Sequence, residues 1–356
     1  MGGEFDRNRS GPRPAAEDDQ GAGNGVRDLA TEFEAERDHL MAVAYRMLGS
    51  RADAEDAVQE TWLRYARTLA DPAARAEIRE LRAWLTTTTG RICLDLLRSA
   101  RVRREAYPGQ WLPEPVVSRL PDLPGLARPA AATPAEANGF APDPAERAAL
   151  HDEVGIALLV VLERLTPEQR VAFVLHDVFA VPFGEIAAVL HSTPIAARQL
   201  ASRARRAVAE GGPRHTADLA EQQRVLAAFI AATESGDLER LVTVLAPDVV
   251  FVGDSGGHLP AARNPVVGVL KVARLTLGLL DRTVRAVDAR TRPVLVNGSL
   301  GLQVEGDYRG RGRLRMVTWY TIADGRITGI FHQLNPEKLS RVTELGPDAP
   351  SWPPRP

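Results

Sequence analysis

The stretch "TPEQRVAFVLHDVFAVPFGEIAAVLHSTPIAARQLASRARRAV", residues 166–208, decides the reading of this chain. Thr166 is placed to cap a helix, Pro167 suits its first position, and Gln169 completes a capping box. The run "VPFGEIAAVL" predicts a short helix with Phe183, Ile186, Ala187 and Leu190 inward. Val181 stands where a polar cap before Pro182 would be expected, which weakens that helix start. After the turn "HST", Thr193 caps a further helix with Pro194 at its first position. Ala197, Leu200, Ala201, Ala204 and Val208 form its buried stripe; Arg198, Gln199, Ser202, Arg203, Arg205 and Arg206 point outward. Short helix, tight turn and basic helix make a helix-turn-helix pattern, whose second helix enters the major groove. Arg pairs with guanine and Gln with adenine through two bonds each, worth about 1–3 kcal/mol of discrimination. The competing reading is an ordinary helical hairpin with a solvated basic face.

Upstream, "ERDHLMAVAYRMLGS" places Leu40, Val43, Ala44, Met47 and Leu48 on one helical face, and Gly49 is a plausible stop. In "DAEDAVQETWLRYA", Ala54, Ala57, Val58, Thr61 and Tyr65 face one way. Asp53, Asp56, Gln59 and Glu60 form an acidic stripe elsewhere, with Trp62 at its edge. That stripe is either a solvated face or a docking surface for a basic partner. A third helix runs through "ELRAWLTTTTGRICLDLLRSARVRRE", where Arg91, Arg98, Arg101, Arg103 and Arg104 gather. Cations suit a helix C-terminus, but five exceed what the dipole needs; a phosphate backbone would use them. Trp84 and the "TTTT" run, Thr86 to Thr89, suit a surface for unstacked bases; the competing reading of Trp84 is a core residue.

The chain has 356 residues and a formal net charge of −2. Its basic residues are almost all arginine, the lysines being Lys271 and Lys338. Cys93 is the single cysteine, so neither an intrachain disulfide nor a cysteine metal cluster is expected. No secretion signal and no membrane span are read, so the expected location is cytoplasmic. Residues 1–28 read as a disordered tail. Residues 107–144, dense in Pro, Ala and Gly, read as a stiff linker containing "WLPEP". Helices resume over 145–212. From 216 to 340, two helices precede the β-rich runs "VVFVG", "TVRAVDAR", "PVLVNGSLGLQV" and "LRMVTWYTIADGRITGIFHQL"; "ADGRI" is a hairpin signal. Residues 341–356 read as a Pro-rich tail.

Taken together, these motifs resemble a bacterial sigma factor of the extracytoplasmic-function type. "DAEDAVQETWLR" is similar to region 2, which grips the β′ coiled coil of core RNA polymerase; "LRAWLTTTTGRICLDLLRSARVRRE" is similar to the part that melts and reads the −10 element. The stretch at 166–208 is similar to region 4, which reads the −35 element and touches the β flap. The resemblance implies that Asp53, Asp56, Gln59, Glu60 and Trp62 face polymerase. It also implies that Trp84, Arg91, Arg98, Arg101, Arg103 and Arg104, with Arg198, Gln199, Ser202, Arg203 and Arg206, face promoter DNA. The expected architecture is multidomain: two all-α sigma domains, over 29–106 and 145–212, and a C-terminal α+β, cone-shaped SnoaL-like domain.

Sigma factors with this fused domain resemble one another in a "WLPEP"-like linker, a "DGGGK"-like loop and an "NPDKL"-like end. Here these read "WLPEP" (Trp111, Leu112, Pro113, Glu114, Pro115), "DSGGH" (including Asp254, Gly256 and Gly257) and "NPEKL" (Asn335, Pro336, Glu337, Lys338, Leu339). Ser255 and His258 depart from the pattern. The expectation is that Trp111 packs on the C-terminal domain or at the junction between domains, so that the fused domain regulates in cis; packing on the nearest sigma helix is the alternative. The superfamily includes cyclases and isomerases. Asp254, His258, Asp288 and His332 are the acid–base candidates for that alternative function. No diagnostic spacing ties them together, so no enzyme, metal or cofactor is expected, and a small-molecule ligand of the cone is left open.

Overall fold

The computed structural model describes residues 19–69, 72–105, 107–120, 155–211, 217–280, 289–307 and 313–346. Helices α1 (Asp19–Leu48), α2 (Arg51–Leu69), α3 (Pro72–Glu77) and α4 (Leu81–Glu105) form the first unit. The predicted faces are buried: Leu40, Val43, Ala44, Met47 and Leu48 on α1, and Ala54, Ala57, Val58, Thr61 and Tyr65 on α2. Gly49 ends α1 at φ 68°, the left-handed geometry that glycine adopts without a Cβ penalty. Helix α1 starts at Asp19, inside the stretch read as a tail, because extending an existing helix costs far less than nucleating one. Residues 1–18 lie outside the described residues.

The second unit contains α5 (Ile156–Leu162), α6 (Pro167–Phe173), a π-helical turn (Val174–Val178), α7 (Phe183–Val189) and α8 (Pro194–Gly211). The capping box of Thr166 and Gln169 is formed, and Thr193 accepts from the Ala196 amide. Pro182 is itself the N-cap of α7 and makes no side-chain cap, so Val181 stands one residue before the cap position and not at it. Ala197, Ala201 and Ala204 are buried, with Leu200 and Val208 half-buried beside them. The helix start read at Ala145 falls in 121–154, outside the described residues.

The third unit opens with α9 (Leu219–Glu234) and α10 (Leu238–Val244), capped by Asp218 and Asp237. It continues through β2 (Leu245–Asp254), β3 (Val266–Val267) and α11 (Val269–Leu279), a helix absent from the sequence reading. Strands β4 (Arg290–Val296), β5 (Ser299–Asp307), β6 (Arg313–Ala323) and β7 (Arg326–Gln333) complete it. Most of "TVRAVDAR" lies outside the described residues. The β6–β7 hairpin turns at Asp324 and Gly325, both at positive φ, as "ADGRI" predicts. With β1 (Val117–Arg119) at one edge, the sheet order is β1-β4-β5-β6-β7-β2-β3, with β2 parallel to β7.

Strand β1 (Val117–Arg119) comes from the segment read as linker and pairs antiparallel with β4. The prolines hid this strand: Val117–Arg119 lies in a short β-competent run between Pro115 and Pro121, and it supplies an edge. The segment read as a C-terminal tail is also packed as far as Gly346, with Val342 and Leu345 buried.

Alternate residues of the sheet serve two cores. Val252, Val294, Val317, Trp319 and Phe331 on the convex face join one continuous apolar cluster with helices of both sigma-like units. Phe251, Tyr320 and Ile330 on the concave face pack with α9–α11. This follows from the two-residue period of a strand.

Candidate functional site

Asp254, at the end of β2, is fully buried and gathers the three motifs. Its carboxylate accepts from the Tyr107 hydroxyl at 2.6 Å, the Leu112 amide at 2.8 Å, the Gly256 amide at 3.1 Å and Lys338 Nζ at 2.7 Å. Lys338 also donates to the Leu112 carbonyl at 2.7 Å. Asn335 donates to the Tyr107 hydroxyl at 3.0 Å and accepts from the Glu337 amide. Burial, then the hydrogen bond to Asp254, drives the Tyr107 hydroxyl pKa up and keeps it protonated as a donor. A Cβ on Gly256 would stand 2.7 Å from Asn335, and one on Gly257 2.9 Å from Pro108, so both glycines admit close approach. Leu339 is buried in the shared core, while Pro336 and Glu337 are exposed.

The linker segment binds the first unit with equal density. Glu114 is buried and its carboxylate accepts from the Arg51 amide at 2.7 Å, capping α2 from a distance of 63 residues in sequence. Its amide donates to the Gly49 carbonyl at 2.8 Å, and its carbonyl accepts from Tyr45. Burial raises the Glu114 carboxyl pKa, with the Arg51 amide opposing. Pro113 and Pro115 are buried beside it. Asn297, at the β4–β5 turn, donates to the Tyr45 hydroxyl at 2.9 Å and accepts from the Val116 amide at 3.0 Å. Arg341 forms a two-bond ion pair with Glu55 on α2. Trp111 is half-buried at the meeting point, with Lys338 Nζ 4.0 Å from its ring centroid and Gly49 against its indole edge.

On α2, Asp56 and Gln59 are exposed, Asp53 and Glu60 half-buried, and Glu60 pairs with Arg64. Trp62, at the stripe's edge, leans edge-on against Phe33 at 5.2 Å. On α4, Trp84 is half-buried near Tyr65. Thr86, Thr88 and Thr89 are buried, which corrects their reading as a base-holding surface. Thr86 bonds the His39 ring and Thr89 bonds the Thr61 hydroxyl, so both find their partners inside the bundle.

Helix α4 packs on α6 and α7. Gly90 allows the approach: its Cβ position is 3.4 Å from Leu175 and 3.5 Å from Val189. Arg98 is paired with Glu168 of α6 at 3.0 Å, and Arg91 reaches the Ala188 carbonyl. The side chains of Arg101, Arg103 and Arg104 lie outside the described residues. On α8, Arg198, Gln199, Ser202, Arg203 and Arg206 are exposed together, whereas Arg205 is tied to Asp177. Ile195, in the first turn, is 66% exposed on the same side as Arg198 and Gln199. In sequence its position three and four residues before Arg198 and Gln199 puts it on their helical face.

The acid–base candidates do not converge. Asp254 faces the linker and His332 faces the concave side, where burial pushes its imidazole down to about 4. His258 is exposed, and Asp288 lies outside the described residues. No helix among the described residues is long and apolar enough to cross a membrane.

A helix-turn-helix unit, a second helical unit with an acidic helix, and a fused cone-shaped domain define a transcription factor built around DNA reading. The chain matches the family models Sigma-70 region 2 over residues 33–103, Sigma-70 region 4 over 156–208 and SnoaL-like domain over 226–330. It is 44% identical over 322 residues to the ECF RNA polymerase sigma factor SigJ of Mycobacterium tuberculosis, covering 87% of this chain and 93% of that one. It is 37% identical over 239 residues to the probable ECF RNA polymerase sigma factor SigI of the same species, covering 67% and 72%. The crystal structure of M. tuberculosis SigJ superposes with a TM-score of 0.64 at 40% identity, covering 87% of this chain and 98% of that one. The chain therefore belongs to the ECF RNA polymerase sigma factors, and transcription initiation is its function.

Proposed function

We propose that this sigma factor exists in a closed state in which its two DNA-reading units cover one another, and that the C-terminal domain biases that state through the linker. The observation that carries this is the packing of α4 on α6 and α7, with Arg98 bonded to Glu168. The −10 and −35 elements are about 25 base pairs apart, or about 85 Å along B-DNA at about 3.4 Å per pair. Two units in van der Waals contact do not span that distance, so initiation requires them to part.

In the open form, Asp53, Asp56, Gln59 and Glu60 meet the β′ coiled coil, with Trp62 supporting them from the helix edge. Trp84 and the α4 arginines act at the −10 element. Arg198, Gln199, Ser202, Arg203 and Arg206 act at the −35 element, and the second unit touches the β flap. Holding both units on one polymerase makes the second DNA contact effectively intramolecular. The bonds of Leu112 with Asp254 and Lys338, and of Val116 with Asn297, give the fused domain its purchase on the first unit. No catalytic step enters this reading, because Asp254 is occupied by the linker on the face opposite His332.

A reversible lock tests it. The double variant Gly90→Cys/Val189→Cys places two thiols across the contact, within reach of a disulfide. Run-off transcription with core polymerase is expected to fall at least tenfold when the protein is oxidised and to return with reductant. Equal output from the oxidised and reduced forms would remove the closed state as an off state.

A further inference from the structure

The concave side of the C-terminal domain carries a half-open cavity of about 510 Å³, within the roughly 300–1,000 Å³ typical of small-molecule sites. Its wall is mostly apolar and includes Phe229, Phe251, Leu302, Met316 and Tyr320. Three hydroxyls on that wall, those of Thr276, Thr291 and Thr318, are buried and make no hydrogen bond among the described residues. A buried hydroxyl without a partner leaves its desolvation uncompensated, and three such hydroxyls line this one apolar wall. The His332 ring adds a fourth polar group, held neutral by burial and so able to donate or accept.

We infer that this cavity is a binding site for a largely apolar small molecule carrying one or two oxygen functions, such as a polycyclic or long-chain alcohol or ketone. The apolar wall takes the hydrocarbon body, and the threonines and His332 take the oxygens. Among the described residues the lining carries no ionised side chain, which suits an uncharged ligand.

The site is wired to the sigma half. His332 faces the cavity, while its neighbours Phe331 and Gln333 face the other way; Phe331 lies in the shared core and Gln333 donates to the Pro113 carbonyl. Thr318 lines the cavity between Val317 and Trp319, which are also in the shared core. Gly253 lines it next to Asp254. The rim at Leu259–Ala262 is bonded at one end to Ser255, and the adjacent Arg263 carbonyl accepts from Gln110 of the linker. Any shift of β2, β6 or β7 toward a ligand therefore moves residues that hold the linker.

The test uses the full chain and Nile red, an apolar fluorophore with a ketone oxygen, without polymerase; its failure is thus separable from failure of the closed-state reading. Saturable micromolar binding is expected, weakened at least tenfold by Leu302→Trp, which fills the chamber, and three- to tenfold by the isosteric Thr318→Val. Amide exchange at Leu112 is expected to change at least threefold on saturation. Should Leu302→Trp fail to fold, Ala262→Phe at the rim replaces it, with the same expectation. Absence of saturable binding to the folded chain overturns the site, as does binding left intact by the filling variant. Binding that leaves Leu112 exchange unchanged overturns the link to the linker.

Discussion

Lys338 holds its ammonium 2.7 Å from the Asp254 carboxylate at a site where the lysine side chain is 13% exposed and the aspartate not at all. A pair this enclosed contributes little net stability over an apolar isostere, yet removing one partner strands a buried charge. Asp254→Asn keeps the shape but leaves Lys338 uncompensated, and is expected to cost about 3–5 kcal/mol of docking. Exchange at the Leu112 amide measures it. Restoration by the double variant Asp254→Asn/Lys338→Met would identify the stranded charge as the cause; a single variant that leaves exchange unchanged would remove Asp254 as the centre of the junction.

Gly49 and Trp111 make a tighter demand. A Cβ at Gly49 would lie 3.0 Å from the indole, and its φ of 68° already disfavours an L side chain. Gly49→Ala is expected to destabilise by about 1–2 kcal/mol from backbone strain plus displacement of Trp111. Trp111→Ala removes the indole under Lys338 and is expected to cost at least about 2 kcal/mol. Because both act on one contact, the double variant should fall short of their sum, read by urea unfolding. Strict additivity would mean that the two residues are energetically independent.

What the sequence shows of this arrangement follows the range of the forces involved. Thr166, Gln169, Thr193, Asp324 and Gly325 act within a few residues, so caps and turns are readable locally. The same is true of the alanine stripe of α8. Glu114 caps α2 across 63 positions, and Asn297 reaches Tyr45 across 252, so neither pairing leaves a local periodicity. The threonines of "TTTT" could be read only as hydroxyls; that they face His39 and Thr61 depends on how three helices cross. Strand β1 was hidden because its partner, β4, lies in another unit.

His332 gives the C-terminal domain an acid sensitivity of defined sign. Its folded pKa of about 4 lies below its ordinary 6.5, so in that window the unfolded chain binds the proton and the folded chain does not. Stability from this group is therefore full above about pH 6.5 and is lost as pH falls toward 4, by about 2 kcal/mol at pH 5. The surface His332 does expose faces the cavity, which makes this an upper figure. Thermal unfolding at pH 7 and pH 5 should show a drop that His332→Gln reduces. An identical drop in the variant would assign the acid sensitivity to other groups.

Ile195 stands 66% exposed in the first turn of α8, three and four residues before Arg198 and Gln199. An isoleucine held in water at the start of a groove-entering helix gains contact area only from a partner, and the apolar feature of the major groove is the thymine methyl. Replacing each thymine of a cognate −35 element by deoxyuridine deletes that methyl alone. Run-off transcription by the holoenzyme is expected to fall three- to tenfold at one position for the wild-type chain. Ile195→Ala should show a similar fall on unmodified promoter and no further loss with deoxyuridine there. Sensitivity at no position, or equal sensitivity in the variant, would assign Ile195 no part in base reading and leave recognition to the arginines and Gln199.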